Sequence, residues 1–150
     1  MVVIEQRCDP GSAIDARLVL PFELRQKARL RTRLDSGEEA GLFLERGGVL
    51  RGGDCLLAQD GRVIGVVAAA EHVLTIRAES RRELARVAYH LGNRHVPLEV
   101  GDGFVRIGFD SVLRDMAQRF DVRVVEEHAA FEPEPGAYAH AGTHAHRSHG

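Results

Sequence analysis

Four of the eight histidines, His140, His144, His146 and His149, fall within the last eleven residues. Neutral imidazole is a good ligand for nickel, zinc and copper, and affinity among divalent ions rises toward nickel and copper. Interleaved with Ala, Gly, Thr, Arg and Ser, these histidines form a device for capturing a divalent ion. The plainer reading is a solvated segment that happens to contain histidines, and their concentration at one end argues against it. The interleaving also argues against a purification tag, in which histidines run consecutively.

His95 is the other candidate ligand. It follows Gly92-Asn93-Arg94 and precedes Val96-Pro97, a spacing that puts the ring at the exposed end of an element. One loop imidazole cannot hold a metal tightly, but in a two-fold dimer two copies of the same loop can meet at the axis and supply two ligands. About 18 residues separate Glu126 from His144, and at roughly 3.3 Å per extended residue the tail can reach such a site. A site shared between chains and incomplete without a mobile segment suits a carrier that releases its ion.

The remaining candidates are weaker. His90 lies beside an apolar helical stripe and reads as a partly buried structural residue. His72 and His128 flank segment boundaries with no spacing that suggests a site. The pairs Glu38-Glu39, Glu126-Glu127 and Glu132/Glu134 read as solvated surface. No Walker-type phosphate loop, His-Glu-x-x-His helix or Gly-x-Ser-x-Gly elbow is present, so nothing in the residues points to an enzyme. A metal-dependent hydrolase built on the His95 region would need three protein ligands and a general base, and these are not visible. A metal-independent peptide-binding scaffold is the other alternative.

The elements that must position His95 lie in the second half. Val73 to Ala78 alternates as a strand, and Ser80-Arg81-Arg82-Glu83 forms a capping box at the start of a helix running to about Leu91. Leu84, Val87, Ala88 and Leu91 make its apolar face, and Gly92 stands where a left-handed cap would end it. Strands at 96–100 and 104–108, a helix bearing Leu113, Met116, Ala117 and Phe120, and a strand at 122–126 complete the order β-α-β-β-α-β. Folded on one antiparallel sheet, that order is ferredoxin-like.

From Met1 to about Ala70 short runs separated by turn residues predict an all-β unit. In 28–34, Ala28, Leu30, Thr32 and Leu34 alternate with Arg29, Arg31 and Arg33, placing the guanidinium groups on one wet face. Further strands are predicted at 41–45, 55–59 and 62–68, with Asp60-Gly61 as a two-residue hairpin turn. The chain is therefore read as α+β, with a β domain at 1–70, a ferredoxin-like domain at 71–128 and a flexible histidine-bearing tail at 129–150.

Composition bounds the class. With 44 % hydrophobic residues the chain can build cores, and 20 basic against 22 acidic side chains leave no field to attract nucleic acid or a membrane surface. The longest apolar run, 63–70, is far short of a membrane span, and the N-terminus lacks a secretory pattern, so a cytoplasmic location is expected. Cys8 and Cys55 are far apart in sequence, form no Cys-x-x-Cys and read as structural or incidental thiols.

The stretch Tyr89-His90-Leu91-Gly92-Asn93-Arg94-His95-Val96-Pro97-Leu98 resembles the urease nickel metallochaperone family, the UreE-type accessory proteins. Supporting pieces occur in order: Gly53-Asp54, Ala69-Ala70-Glu71, Phe131-Glu132-Pro133-Glu134 and Gly136-Ala137-Tyr138, then the histidine-bearing end. The resemblance implies a homodimer formed through the ferredoxin-like domains. It also implies that His95 of each chain binds Ni(II) cargo at the interface, with tail histidines assisting. The β domain is implied to resemble a peptide-binding module of chaperones. Implied partners are a urease accessory GTPase and, through the accessory complex, apo-urease. Where some members carry extra histidines before the second helix, this sequence has Phe109-Asp110-Ser111. Nickel enters through the resemblance alone, since the same imidazoles also take Zn(II) or Cu(II).

Overall fold

Alternating apolar and polar residues build the first unit, Met1–Ala69, as one curled sheet in a computed structural model that describes residues 1–45 and 48–135. Its strands are β1 (Val2–Cys8), β2 (Ala16–Leu20), β3 (Arg29–Arg33), β4 (Glu39–Phe43), β5 (Cys55–Ala58) and β6 (Val63–Ala68), with a four-residue helix α1 (Phe22–Arg25) after β2. They lie in the order β2-β6-β5-β1-β4-β3, parallel at β1/β4 and β2/β6 and antiparallel elsewhere. The edges meet at one end, where Arg17 N donates to Asp35 Oδ1 at 3.1 Å and Asp35 N to Arg17 O at 2.9 Å. The sheet is nearly a barrel.

Ile4, Leu18, Leu42, Leu56 and Ile64 fill its interior without solvent exposure. Full burial of each such side chain contributes about 1.5–3 kcal/mol. Along β3 the arginines face solvent and Leu30 packs on the core, as the alternation predicts. The turn at Asp60-Gly61 is one residue longer than the two-residue reading. Ala58 N donates to Arg62 O and Gly61 N to Ala58 O, which makes 59–61 the loop, with Gly61 at φ 92° closing it.

The second unit, Ala70–Glu134, is ferredoxin-like. It comprises β7 (Ala70–Arg77), α2 (Arg81–Gly92), β8 (Leu98–Gly101), β9 (Phe104–Gly108), α3 (Ser111–Ala117) and β10 (Arg123–Ala130). The sheet order is β10-β7-β9-β8, every neighbour antiparallel. Leu74, Ile76, Val105 and Ile107 on one sheet face pack with Val87 and Leu91 of α2 and Leu113 and Ala117 of α3. β10 extends four residues beyond the predicted strand end, in unbroken register with β7. At the tight β8/β9 turn the Phe104 ring lies where a Cβ on Gly101 would be, so a larger residue there would have to displace the ring.

α2 starts as predicted on one count: Ser80 Oγ accepts from Glu83 N at 3.2 Å. The reciprocal half of the capping box does not form. The Glu83 carboxylate turns instead to Arg86 at 2.8 Å and accepts from Asp121 N at 3.3 Å, and these bonds, the arginine's foremost, hold it below the usual carboxylate range. Among the described residues no helix is long and apolar enough to cross a membrane.

Candidate metal centre

The end of α2 shapes the His95 loop. Gly92 does not adopt the left-handed cap that its position suggested; the capping residue Asn93 is right-handed at φ −66°. Arg94 N donates to Leu91 O and His95 N to Gly92 O, both at 3.0 Å, so the helix tightens into three-residue turns before it stops. The left-handed residue is His95 itself, at φ 58°, the one non-glycine residue with positive φ among the described residues. Its side chain is exposed, while the next residue, Val96, packs on the core.

A bulky side chain in left-handed backbone costs on the order of 1 kcal/mol or more, and such positions cluster at functional sites. If the ring is there for chemistry, glycine relieves the strain and alanine does not. In urea unfolding, His95→Gly is expected to be more stable than His95→Ala by about 1 kcal/mol. Equal stability would remove the strain argument.

Topology gathers other groups at this end of the unit. β7 and β8 run in the same direction on either side of β9, so α2 returns and finishes at the end of the sheet where β7 begins. β9 and β10 finish there and α3 starts there, with Phe109 N bonded to His72 O at 3.0 Å. The most exposed large apolar residues at that end are Tyr89 on α2 at 66 % and Val112 on α3 at 64 %. His90 is exposed too, its ring 5.3 Å from Phe120, and not partly buried as its place beside the stripe suggested.

His72 and His128, which sequence spacing left unassigned, are directly opposed across β7 and β10. Their rings stack at 5.1 Å, His72 also stacks on Phe109 at 4.4 Å, and His72 Nε2 lies 2.7 Å from Glu126 Oε2. The signal that unites them is strand register, which no local spacing reveals.

The chain beyond β10 reaches β8. Glu132 N donates to Glu99 Oε1 at 2.9 Å and Glu134 N to Leu98 O at 2.7 Å. Arg106 secures this exit: its Nε donates to Thr75 Oγ1 at 2.8 Å and its Nη1 to Ala130 O at 3.2 Å, with Glu99 3.4 Å away. Glu134 is thus tied to a residue only three positions beyond His95. The six-residue separation from Glu134 to His140 spans at most about 20 Å when extended. His140, His144, His146 and His149, and the tail reading as a whole, lie outside the described residues apart from its first seven, 129–135. Among the described residues no three His, Cys, Asp or Glu side chains group closely enough to hold a metal ion. A metal ion bound at His95 would have to draw further ligands from a second chain or from beyond residue 135.

Comparison with known proteins covers both units. The family described as UreE urease accessory protein, N-terminal domain, matches residues 3–69, and UreE urease accessory protein, C-terminal domain, matches 71–150. A urease accessory protein UreE from Alkalilimnicola ehrlichii is 53 % identical over 92 % of this chain and 85 % of its own length. The protein of that name from Cupriavidus necator is 55 % identical over 87 % of this chain and 68 % of its own. Another, from Pseudomonas fluorescens, is 48 % identical over 100 % of this chain and 90 % of its own.

Proposed function

We propose that this chain, which belongs to the UreE urease accessory protein family, captures nickel(II) and delivers it for assembly of the urease active site. The observation that carries this reading is the bond from Glu134 to Leu98, which ties the chain just before the histidine-bearing segment to a residue three positions beyond the exposed, left-handed His95. Two chains related by a two-fold axis supply two His95 rings, and covering Tyr89 and Val112 gives such a pairing an apolar contact. The tail histidines His140, His144, His146 and His149 complete the shell from either chain.

A shell drawn from two chains and a tail has no single preformed cage, so the ion is released when any part withdraws. That is carrier behaviour. Zinc and copper compete for the same imidazoles, and selectivity comes from supply and geometry. The partners in this reading are a urease accessory GTPase and, through the accessory complex, apo-urease, in the cytoplasm. The N-terminal sheet serves as the peptide-contacting part.

Calorimetric nickel titration of the full chain against a chain ending at Pro135 tests the tail's part. The shortened chain is expected to lose bound nickel or to bind about tenfold more weakly, within the range seen when a metal site loses support, while remaining dimeric. Superimposable isotherms would show that the tail takes no part.

A further inference from the structure

We propose that Cys8 and Cys55 form an oxidisable dithiol that closes to an intrachain disulfide between β1 and β5 when a peroxide is present. The two residues are register partners on antiparallel strands and therefore share a face. Directly opposed residues have Cα atoms about 4.5–5.5 Å apart, within the roughly 4.4–6.8 Å that a disulfide spans.

The face is the outer one. Leu56, next along β5, points into the barrel core, so Cys55 points the other way. Cys55 is nonetheless 4 % exposed. Its partner on β6 is Gly65, over whose bare backbone the Ile14 side chain lies, 3.1 Å from where a Cβ would stand. Cys8 is partly exposed. Burial, then the charge and hydrogen bond of the neighbouring Cys55 sulfur, push the Cys8 thiol above its ordinary range, so its thiolate is a minor species at neutral pH and the oxidation should quicken as pH rises.

The pair thus has an accessible member for attack and a shielded member to resolve it. The Cys8 thiolate takes one oxygen from hydrogen peroxide, giving a sulfenic acid and releasing hydroxide, which leaves as water. The Cys55 sulfur then displaces the second oxygen as water. Two thiols and one peroxide give one disulfide and two waters, with two electrons passing from sulfur to oxygen.

The reduced full chain, treated with hydrogen peroxide and then alkylated, tests this. The expected product is about 2 Da lighter, escapes alkylation, maps to a Cys8–Cys55 link within one chain and is restored by dithiothreitol. Its thermal midpoint should rise by several degrees, because the link closes a long loop in the unfolded chain. In Cys55→Ser the sulfenic acid on Cys8 has no resolving partner and should add oxygen. Free alkylation of both cysteines after peroxide, stable oxygen addition on Cys8 of the unaltered chain, or links only between chains would overturn the proposal. The test involves no nickel, so its outcome is separate from that of the metal reading.

Discussion

His95→Ala is expected to weaken the tightest nickel site by about a hundredfold or more, measured by competition with a chelator of known affinity. Altering a residue that merely supports a metal ligand costs about 10 to 100-fold. In the proposed site the change would remove a ligand outright, and in a two-fold dimer two at once. The fold should survive, because the ring is exposed and the chain is anchored at the neighbouring Val96. His95→Gly should lose nickel equally while gaining stability relative to alanine, which separates the ring's chemistry from the backbone it strains. Nickel binding that persists within threefold in both variants would place the site elsewhere.

Arg25→Ala is expected to destabilise the N-terminal unit by about 3 kcal/mol or more. Arg25 is fully buried, its Nε donating to Leu20 O at 3.0 Å and its Nη1 to Leu50 O at 3.1 Å, with the guanidinium 5.8 Å from the Phe22 ring centroid. It ties the end of β2 and α1 to the segment before β5, where Leu50 N donates back to Arg25 O. Truncation leaves buried carbonyls without these donors and opens a cavity. Arg25→Met restores much of the volume without the donors, so it should recover only part of the loss. Urea unfolding followed by circular dichroism measures this; a change below about 1 kcal/mol for alanine would show that water replaces the guanidinium.

Local pattern carried most of the second unit. The 3.6-residue spacing of Leu84, Val87, Ala88 and Leu91 and of Leu113, Met116, Ala117 and Phe120 marks two helix faces that the structure packs on one sheet. In the first unit the arginine alternation of β3 was legible, because side chains on successive strand residues point oppositely. What escaped depends on long-range pairing. The opposition of His72 to His128 and of Cys8 to Cys55 exists only once strands are in register. Arg106, which secures the chain leaving β10, looks in sequence like any surface arginine between two apolar residues. Arg25 was equally hidden, since its carbonyl acceptors lie 5 and 25 residues away. The Gly92 reading failed for a related reason: the helix passes the glycine in right-handed backbone and delays its left-handed residue to His95.

For the candidate metal site, sequence singled out His95 and the structure adds its setting. His95 stood out by its neighbours Gly92-Asn93-Arg94 and Val96-Pro97. Its exposure and left-handed backbone come from the way α2 ends, and the bond from Glu134 to a residue three positions beyond it exists only once the chain after β10 has reached β8.

Native mass spectrometry of the full chain, given one nickel ion for every two chains, tests the sharing of His95 most directly. The account predicts a two-chain species carrying one tightly held nickel, and its loss in His95→Ala dimers. Single chains each carrying an ion, or His95→Ala dimers that keep theirs, would contradict it.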